Sequence, residues 1–206
     1  MSETLIIDTT SNTIKQLEDA MTGKQWIDYQ LAQGEYISGK GIVDLVNEKY
    51  DEVIGCEVGV CLGVTSEYYM DNMKKLKKLY CIDNYPEYVD WTGFVVDREK
   101  QDAMKQHAYE RLEKYKDRIE FVYESSTDFA KTINGETFDF VFIDADHSYE
   151  GALRDFESYY PIVKSGGLFS GHDFTLSGVN KALREFFKDK YSLIKQLENN
   201  AWYIIK

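Results

Sequence analysis

Proline, cysteine, histidine, positive charge and long apolar runs are all scarce in this chain, and each scarcity narrows what it can be. Two prolines in 206 residues leave no Pro-rich linker or low-complexity segment, and no internal repeat stands out. The three cysteines, Cys56, Cys61 and Cys81, are an odd number without framework spacing and lie in or beside apolar runs. They read as thiols of a reducing compartment rather than as a disulfide framework. Cys61 sits in a glycine loop, but no general-base motif stands beside it, so a structural thiol is the simpler reading. Lys and Arg number 24 against 36 Asp and Glu, for a net charge of -12. A phosphate backbone is repelled at long range by such a chain, so no nucleic-acid partner is expected. The only dense basic cluster, Lys74, Lys75, Lys77 and Lys78, reads as a solvated helix end. No apolar run approaches the roughly 20 residues that a membrane span requires, and no charged-then-apolar leader opens the chain. A cytoplasmic protein without a membrane partner is therefore expected.

What is present suits one domain with a substantial core: hydrophobic residues make up 43% of the chain, with 16 Tyr and 11 Phe. The aromatics fill that core or line an organic-substrate pocket. Strand-like apolar runs alternate with helical patterns. Val53–Val58, Leu79–Ile82, Ile119–Tyr123, Phe140–Ile143 and Leu168–Ser170 read as strands. Helical spacing covers Thr13–Met21, Lys24–Ala32, the stretch after Gly41, Thr65 onward, Asp97–Tyr115, Asp128–Ile133, Tyr149–Tyr160 and Gly178–Lys188. Asn84–Asp97 is irregular and aromatic, with Tyr85, Tyr88, Trp91 and Phe94. Tyr191–Gln196 and Ala201–Ile205, joined around Asn199-Asn200, predict a terminal antiparallel hairpin. Such alternation predicts an α/β fold, a Rossmann-like three-layer sandwich with a seven-stranded, mostly parallel sheet closed by that hairpin. Residues 1–35 are expected to be a helical extension, and 36–206 the main domain.

Two constellations carry chemistry. The first is Glu57-Val58-Gly59-Val60-Cys61-Leu62-Gly63 followed by Asp83. Gly59 permits a sharp turn off the strand, and Gly63 a close approach. A dinucleotide fingerprint needs a glycine where Cys61 stands, which weakens a nicotinamide reading. Asp83, ending the next strand, suits the two hydroxyls of a ribose, or else caps a turn. The second constellation is Asp144, Asp146, His147, His172 and Asp173. If the strands ending at Asp144 and Asp173 are neighbours, their carboxylates repel unless a cation or proton intervenes. Oxygen donors suit a hard divalent ion such as Mg²⁺, with His172 or His147 as nitrogen donor in a zinc alternative. His107 lies on the long polar helix and reads as a surface residue.

Glu57–Gly63, Asp83 and above all FIDADHSYEGALRDFESYYPIVKSGGLFSGHDF resemble the class I S-adenosylmethionine-dependent methyltransferases. Within these the chain is similar to the family 24 branch of macrocin-type sugar O-methyltransferases and cephalosporin-pathway proteins. The resemblance, from about Ser38 onward, implies that Glu57 and Gly59 face the methionine part of the cofactor and Asp83 its ribose, with Gly63 also in the cofactor-binding set. It implies that Ser125 or Ser126 lies near adenine, Ser38 near the cofactor carboxylate, and Asp144 at the cofactor edge. It further implies a divalent cation at Asp144, Asp173 and His172, and a base at His147, where relatives carry lysine, with His172 beside it. The expected reaction is methyl transfer from S-adenosylmethionine to a hydroxyl of a small molecule, of sugar or aromatic type. Tyr85, Trp91, Tyr149 and Phe174 are candidates to stack on it. Relatives commonly self-associate, so a homo-oligomer is an open expectation. A metal-independent methyltransferase, a nicotinamide oxidoreductase and a non-catalytic module with a vestigial pocket are the alternatives.

Overall fold

Parallel strands covered on both faces must be apolar almost throughout, and the two central strands are. Strand β1 (Val53–Val58, VIGCEV) and strand β6 (Phe138–Ile143, FDFVFI) are buried along nearly their whole length. A computed structural model describes residues 20–32, 34, 36–89 and 95–206. Its helices are α1 (Gly23–Ala32), α2 (Lys40–Lys49), α3 (Val64–Asn72), α4 (Arg98–Leu112), α5 (Ser126–Thr132), α6 (Tyr149–Tyr159) and α7 (Ser177–Phe187). The other strands are β2 (Leu76–Ile82), β3 (Tyr88–Val89), β4 (Val95–Val96), β5 (Ile119–Val122), β7 (Val163–Gly171), β8 (Lys195–Gln196) and β9 (Trp202–Ile205).

The main sheet has seven strands in the order β5-β2-β1-β6-β7-β9-β8. The first five are parallel, and β9 runs antiparallel to both β7 and β8. From β1 the chain builds outward to β2 and β5, then returns to add β6 and β7 on the other side. The β1/β6 boundary is thus the switch point, where α/β sheets open a crevice at the carboxyl ends of their strands. One face of the sheet places Cys56, Val58, Val141, Ile143 and Phe169 against Phe156 and Tyr159 of α6 and Leu183 and Phe187 of α7. On the opposite face Phe140 and Phe142 meet the Tyr69 ring of α3 edge-on, at 5.6 and 5.9 Å. These two helical layers and the sheet make the expected three-layer sandwich.

The described residues fall into two compact units. The smaller joins the described residues before Tyr36 to those of Tyr85–His107. Within it the Gly23 amide donates to Glu99 Oε1 at 3.0 Å, and Arg98 donates to the Tyr85 carbonyl at 2.9 Å. The larger, Tyr36–Asn84 and Ala108–Lys206, contains the main sheet.

Several expectations need correcting. The hairpin is present but short. Lys188–Leu193 forms a 3-10 helix, so only Lys195–Gln196 pairs with β9. Strand β2 begins at Leu76, and the lysine cluster lies in the turn and strand after α3, not on a helix end. There Lys75, Lys77 and Lys78 pair with Asp51, Glu52 and Glu120. The segment read as irregular holds a two-stranded antiparallel sheet, β3 with β4. His107, expected at the surface, is half-buried. The stretch Leu5–Ile7, all of the helix expected over Thr13–Met21 except Ala20 and Met21, and residues Trp91 and Phe94 lie outside the described residues.

Sheet packing at β1 depends on Gly55. A Cβ there would lie 2.1 Å from the fully buried Phe140 ring. Gly55→Val is expected to destabilise the fold by about 1–3 kcal/mol through overpacking. Thermal unfolding would read this, and an unchanged midpoint would contradict the packing described.

Candidate functional site

The carboxyl ends of β1, β2, β6 and β7 converge on one set of side chains. Gly59 turns the chain off β1 with φ of +91°. A Cβ at this position would fall 2.0 Å from the Asp144 carbonyl oxygen, so glycine is needed for the loop to cross the end of β6. The Asp144 amide completes the junction by donating to the Val58 carbonyl at 2.8 Å. Asp83 holds the same loop from the other side. Its Oδ2 accepts from the amides of Val60 at 2.9 Å and Cys61 at 3.1 Å. The loop amides thus already engage one oxygen of the residue expected at the ribose. Cys61 adopts φ of +50°, the left-handed conformation that the absent central glycine would favour. Gly63, φ +75°, is the N-cap of α3.

Beneath this loop lies a buried polar layer. The Ser66 hydroxyl donates to Glu57 Oε2, and the Cys81 thiol reaches that hydroxyl at 3.6 Å. Ser38 Oγ is 3.1 Å from Thr65 Oγ1, which ties the turn before α2 to the first turn of α3. Ser125 caps α5 through the Asp128 amide, and Ser126 donates to Asp155 at 2.5 Å. The Tyr159 hydroxyl donates to the Ser126 carbonyl at 2.9 Å. The two serines expected near adenine are therefore fixed by α5 and α6.

Asp144, His147, His172 and Asp173 meet where β6 and β7 end. His147 Nε2 lies 3.3 Å from Asp144 Oδ1 and 3.0 Å from Asp173 Oδ2. His172 Nδ1 lies 3.2 Å from Asp173 Oδ1 and 3.7 Å from Asp144 Oδ1. One ligand atom each from Asp144, His147 and Asp173 fall within 4.8 Å of one another. Asp146 does a different job: it accepts from the Ser148 amide at 2.9 Å and pairs with Arg154 at 3.6 Å.

Residues 56–174, more than half of the chain, match the family model described as "Methyltransferase domain". The chain belongs to this family, of the class I S-adenosylmethionine-dependent type. No curated protein matches its sequence. Among solved structures, this methyltransferase is similar to a Corynebacterium glutamicum protein at 13% identity and TM-score 0.62, over 95% of this chain and 96% of that one. It is also similar to the O-methyltransferase NovP at 16% identity and TM-score 0.58, over 82% and 77% of the two chains. An rRNA methylase from Streptococcus thermophilus aligns at 13% identity and TM-score 0.53, over 79% and 91%. At these identities the likeness is one of fold.

The acids and imidazoles of the methyltransferase perturb one another. His147 is raised above its ordinary value, chiefly by the Asp144 hydrogen bond and then by the charges of Asp144 and Asp173. Burial lowers His172, but its contacts with Asp173 and Asp144 outweigh that and leave it raised. Burial pushes Asp173 up, yet the His172 hydrogen bond and the two imidazoles hold it below the usual carboxylate range. Glu57 is pushed up to about 8, mainly by burial; the Ser66 hydrogen bond opposes this, and Asp144 and Asp83 add to it.

Three participants were missed in the sequence. Asp155, buried on α6, is pushed up to about 6 by burial. It was readable in principle, because it shares the buried helix face with Gly151, Ala152, Phe156 and Tyr159. Tyr36 and Asn199 touch His172 from far away along the chain, and no local pattern signals either.

The Glu57 shift has a definite sign. Folded Glu57 keeps its proton up to about pH 8, whereas the unfolded carboxyl loses it near 4.5. Its contribution to stability is complete below the unfolded value and is lost as pH rises toward 8. At about 1.4 kcal/mol per unit, the loss amounts to a few kcal/mol. Glu57→Gln should therefore flatten the fall in unfolding midpoint between pH 5 and 8 relative to the parent protein. Parallel pH curves for the two proteins would contradict a neutral buried Glu57.

Proposed function

We propose that this methyltransferase acts on a hydroxyl oxygen of a small molecule, with a divalent cation held by Asp144 and Asp173 and a histidine as base. The observation that carries the reading is the meeting of Asp144, His147 and Asp173 within 4.8 Å, at the strand ends beside the Gly59 loop. Residues 36–206 form the catalytic domain in this reading, and 1–35 a helical extension.

The residues fit both groups that the reaction needs. Two carboxylates already draw the positively polarised Nε2 of His147 between them, as they would a small cation. Asp144, Asp173 and His172 would hold that ion, Mg²⁺ in the simplest case. Asp83 and Asp144 supply carboxylates around the Gly59 loop, which suits a cationic donor, and the buried Glu57 carboxyl lies beneath them. Gly59, Gly63, Ser38, Ser125 and Ser126 would shape its seat. When bound, S-adenosylmethionine supplies an electrophilic methyl group, and the cation supplies a Lewis acid that lowers the pKa of the acceptor hydroxyl. His147 takes the hydroxyl proton on Nδ1, because the carboxylates facing Nε2 only accept and so keep the ring's own proton on that nitrogen. Asp144 and Asp173 orient that ring and balance the charge it gains. Positioning of donor and acceptor supplies much of the rate.

The acid-lined mouth and the net charge of -12 favour a small, non-polyanionic acceptor. Of the aromatic candidates, Tyr149 carries Lys181 Nζ at 3.8 Å over its ring, and Phe174 stacks on Tyr191 at 6.4 Å. Among the described residues no helix is long and apolar enough to cross a membrane, and Cys56 and Cys81 are buried thiols. A reducing, cytoplasmic setting belongs to the proposed reading.

Labelled methyl transfer to a panel of phenols and sugar alcohols tests the reading. His147→Ala should reduce turnover by roughly 10²-fold or more while donor affinity, measured by calorimetry, holds. Asp144→Asn should abolish the activity that a chelator also removes. Full turnover by His147→Ala, or activity indifferent to chelator, would reject the base or the metal respectively.

A further inference from the structure

His172 is gripped on the side opposite the carboxylates. Its Nε2 lies 2.6 Å from the Asn199 carbonyl oxygen and 3.1 Å from the Tyr36 hydroxyl. That hydroxyl donates its own hydrogen to the same carbonyl at 2.7 Å. A carbonyl can only accept, so Nε2 must carry a proton. With its hydrogen committed to Asn199, the Tyr36 oxygen can face Nε2–H only as a second acceptor. The lone pair of the neutral ring therefore belongs to Nδ1, which faces Asp173 and Asp144. The Tyr36 ring stands edge-on to the imidazole at 5.5 Å. His172 has only 11% of its side chain exposed, against 46% for His147.

The turn that supplies the carbonyl is itself under constraint. Asn199 and Asn200 have φ of 55° and 63°, and Asp173, which they help to hold, has φ of 58°. Asn200 accepts from the Phe174 amide through its carbonyl and from the Thr175 amide through its side chain, both at 3.0 Å. Asn and Asp tolerate this left-handed conformation better than other non-glycine residues, because their short polar side chains can hydrogen-bond to nearby backbone, as that of Asn200 does to the Thr175 amide. The Trp202 Nε1–H donates to the His172 carbonyl at 2.8 Å, so the hairpin holds the backbone of this residue as well as its ring.

We propose that Tyr36 and the Asn199-Asn200 turn form an outer latch that fixes His172 as the Nε2–H tautomer and presents its Nδ1 lone pair, beside Asp144 and Asp173, to a first-row divalent cation. The inference rests on the metal reading above and sharpens it. His172, buried and latched, is the nitrogen ligand; His147, exposed, is left for the proton. Two carboxylates and an imidazole form a mixed oxygen and nitrogen set, which suits Mn²⁺ better than the all-oxygen preference of Mg²⁺. An outer hydrogen-bond partner of a ligating histidine fixes its tautomer, and its loss typically weakens metal binding about 10–100-fold.

The test measures Mn²⁺ binding by calorimetry on the full chain, together with long-range ¹H–¹⁵N spectra of the metal-free protein over a pH series, read where the ring has lost its charge. Wild type is expected to bind Mn²⁺ more tightly than Mg²⁺ and to show His172 protonated on Nε2. Tyr36→Phe, which keeps the ring, should weaken Mn²⁺ about 10-fold or more, with donor affinity and unfolding midpoint nearly unchanged. Asn200→Ala, which loosens the turn, should weaken Mn²⁺ in the same sense. Equal Mn²⁺ affinity in wild type and Tyr36→Phe, or a His172 proton on Nδ1, would overturn the latch and leave the metal reading standing. Mn²⁺ binding no tighter than Mg²⁺ would overturn the nitrogen-ligand assignment. A wild-type protein that binds neither ion would overturn latch and metal reading together.

Discussion

Asp144 and Asp173 end adjacent parallel strands with ligand oxygens inside a 4.8 Å cluster, and two ionised carboxylates held that close require positive charge between them. Much of the site can be understood as the consequence of that requirement. Two imidazoles face these acids in the protein itself, His147 through Nε2 and His172 through Nδ1. Both are raised by the acids they touch, and Asp173 is lowered in return. The same electrostatics that attract imidazolium would attract a metal ion, and the ligand set decides which.

Sheet topology brings this cluster to the Gly59 loop. The chain reverses its direction of growth between β1 and β6, so the Gly59 loop lands on the backbone of Asp144. Asp83, one strand further, ties the loop down through two amides. Glu57 lies beneath it as a buried carboxyl held largely neutral near pH 7. A positive charge brought near this carboxyl would favour its ionised form by simple Coulomb attraction.

The parts of the fold legible in the sequence were those in which the local pattern and the tertiary role agree. Phe140–Ile143 and Val53–Val58 read as buried parallel strands because both faces are covered, and their terminal acids pointed to the site directly. The lysine cluster misled because β2 begins with Leu76 and then displays Lys77 and Lys78, whose charge is matched by acids distant in the chain. The first arm of the hairpin misled for another reason. Tyr191, Leu193 and Ile194 have a strand-like composition, but the chain closes a 3-10 turn from Ile194 N to Tyr191 O before any partner is available. Tyr36 was invisible because its contact with His172 joins residues 136 positions apart. Ser125 and Ser126 were noticed for their place after a strand, whereas their partners Asp128 and Asp155 emerge only once α5 and α6 are folded.

The central claim is that the tips of β6 and β7 hold a cation beside the donor loop. Crystals grown with Mn²⁺ and S-adenosylhomocysteine, measured at the manganese absorption edge, test it directly. The account predicts one anomalous peak between the Asp144 and Asp173 carboxylates, with His172 Nδ1 within coordinating distance and the nucleoside against the Gly59 loop. A peak elsewhere, or a nucleoside seated away from Gly59 with no ion between the two aspartates, would contradict it.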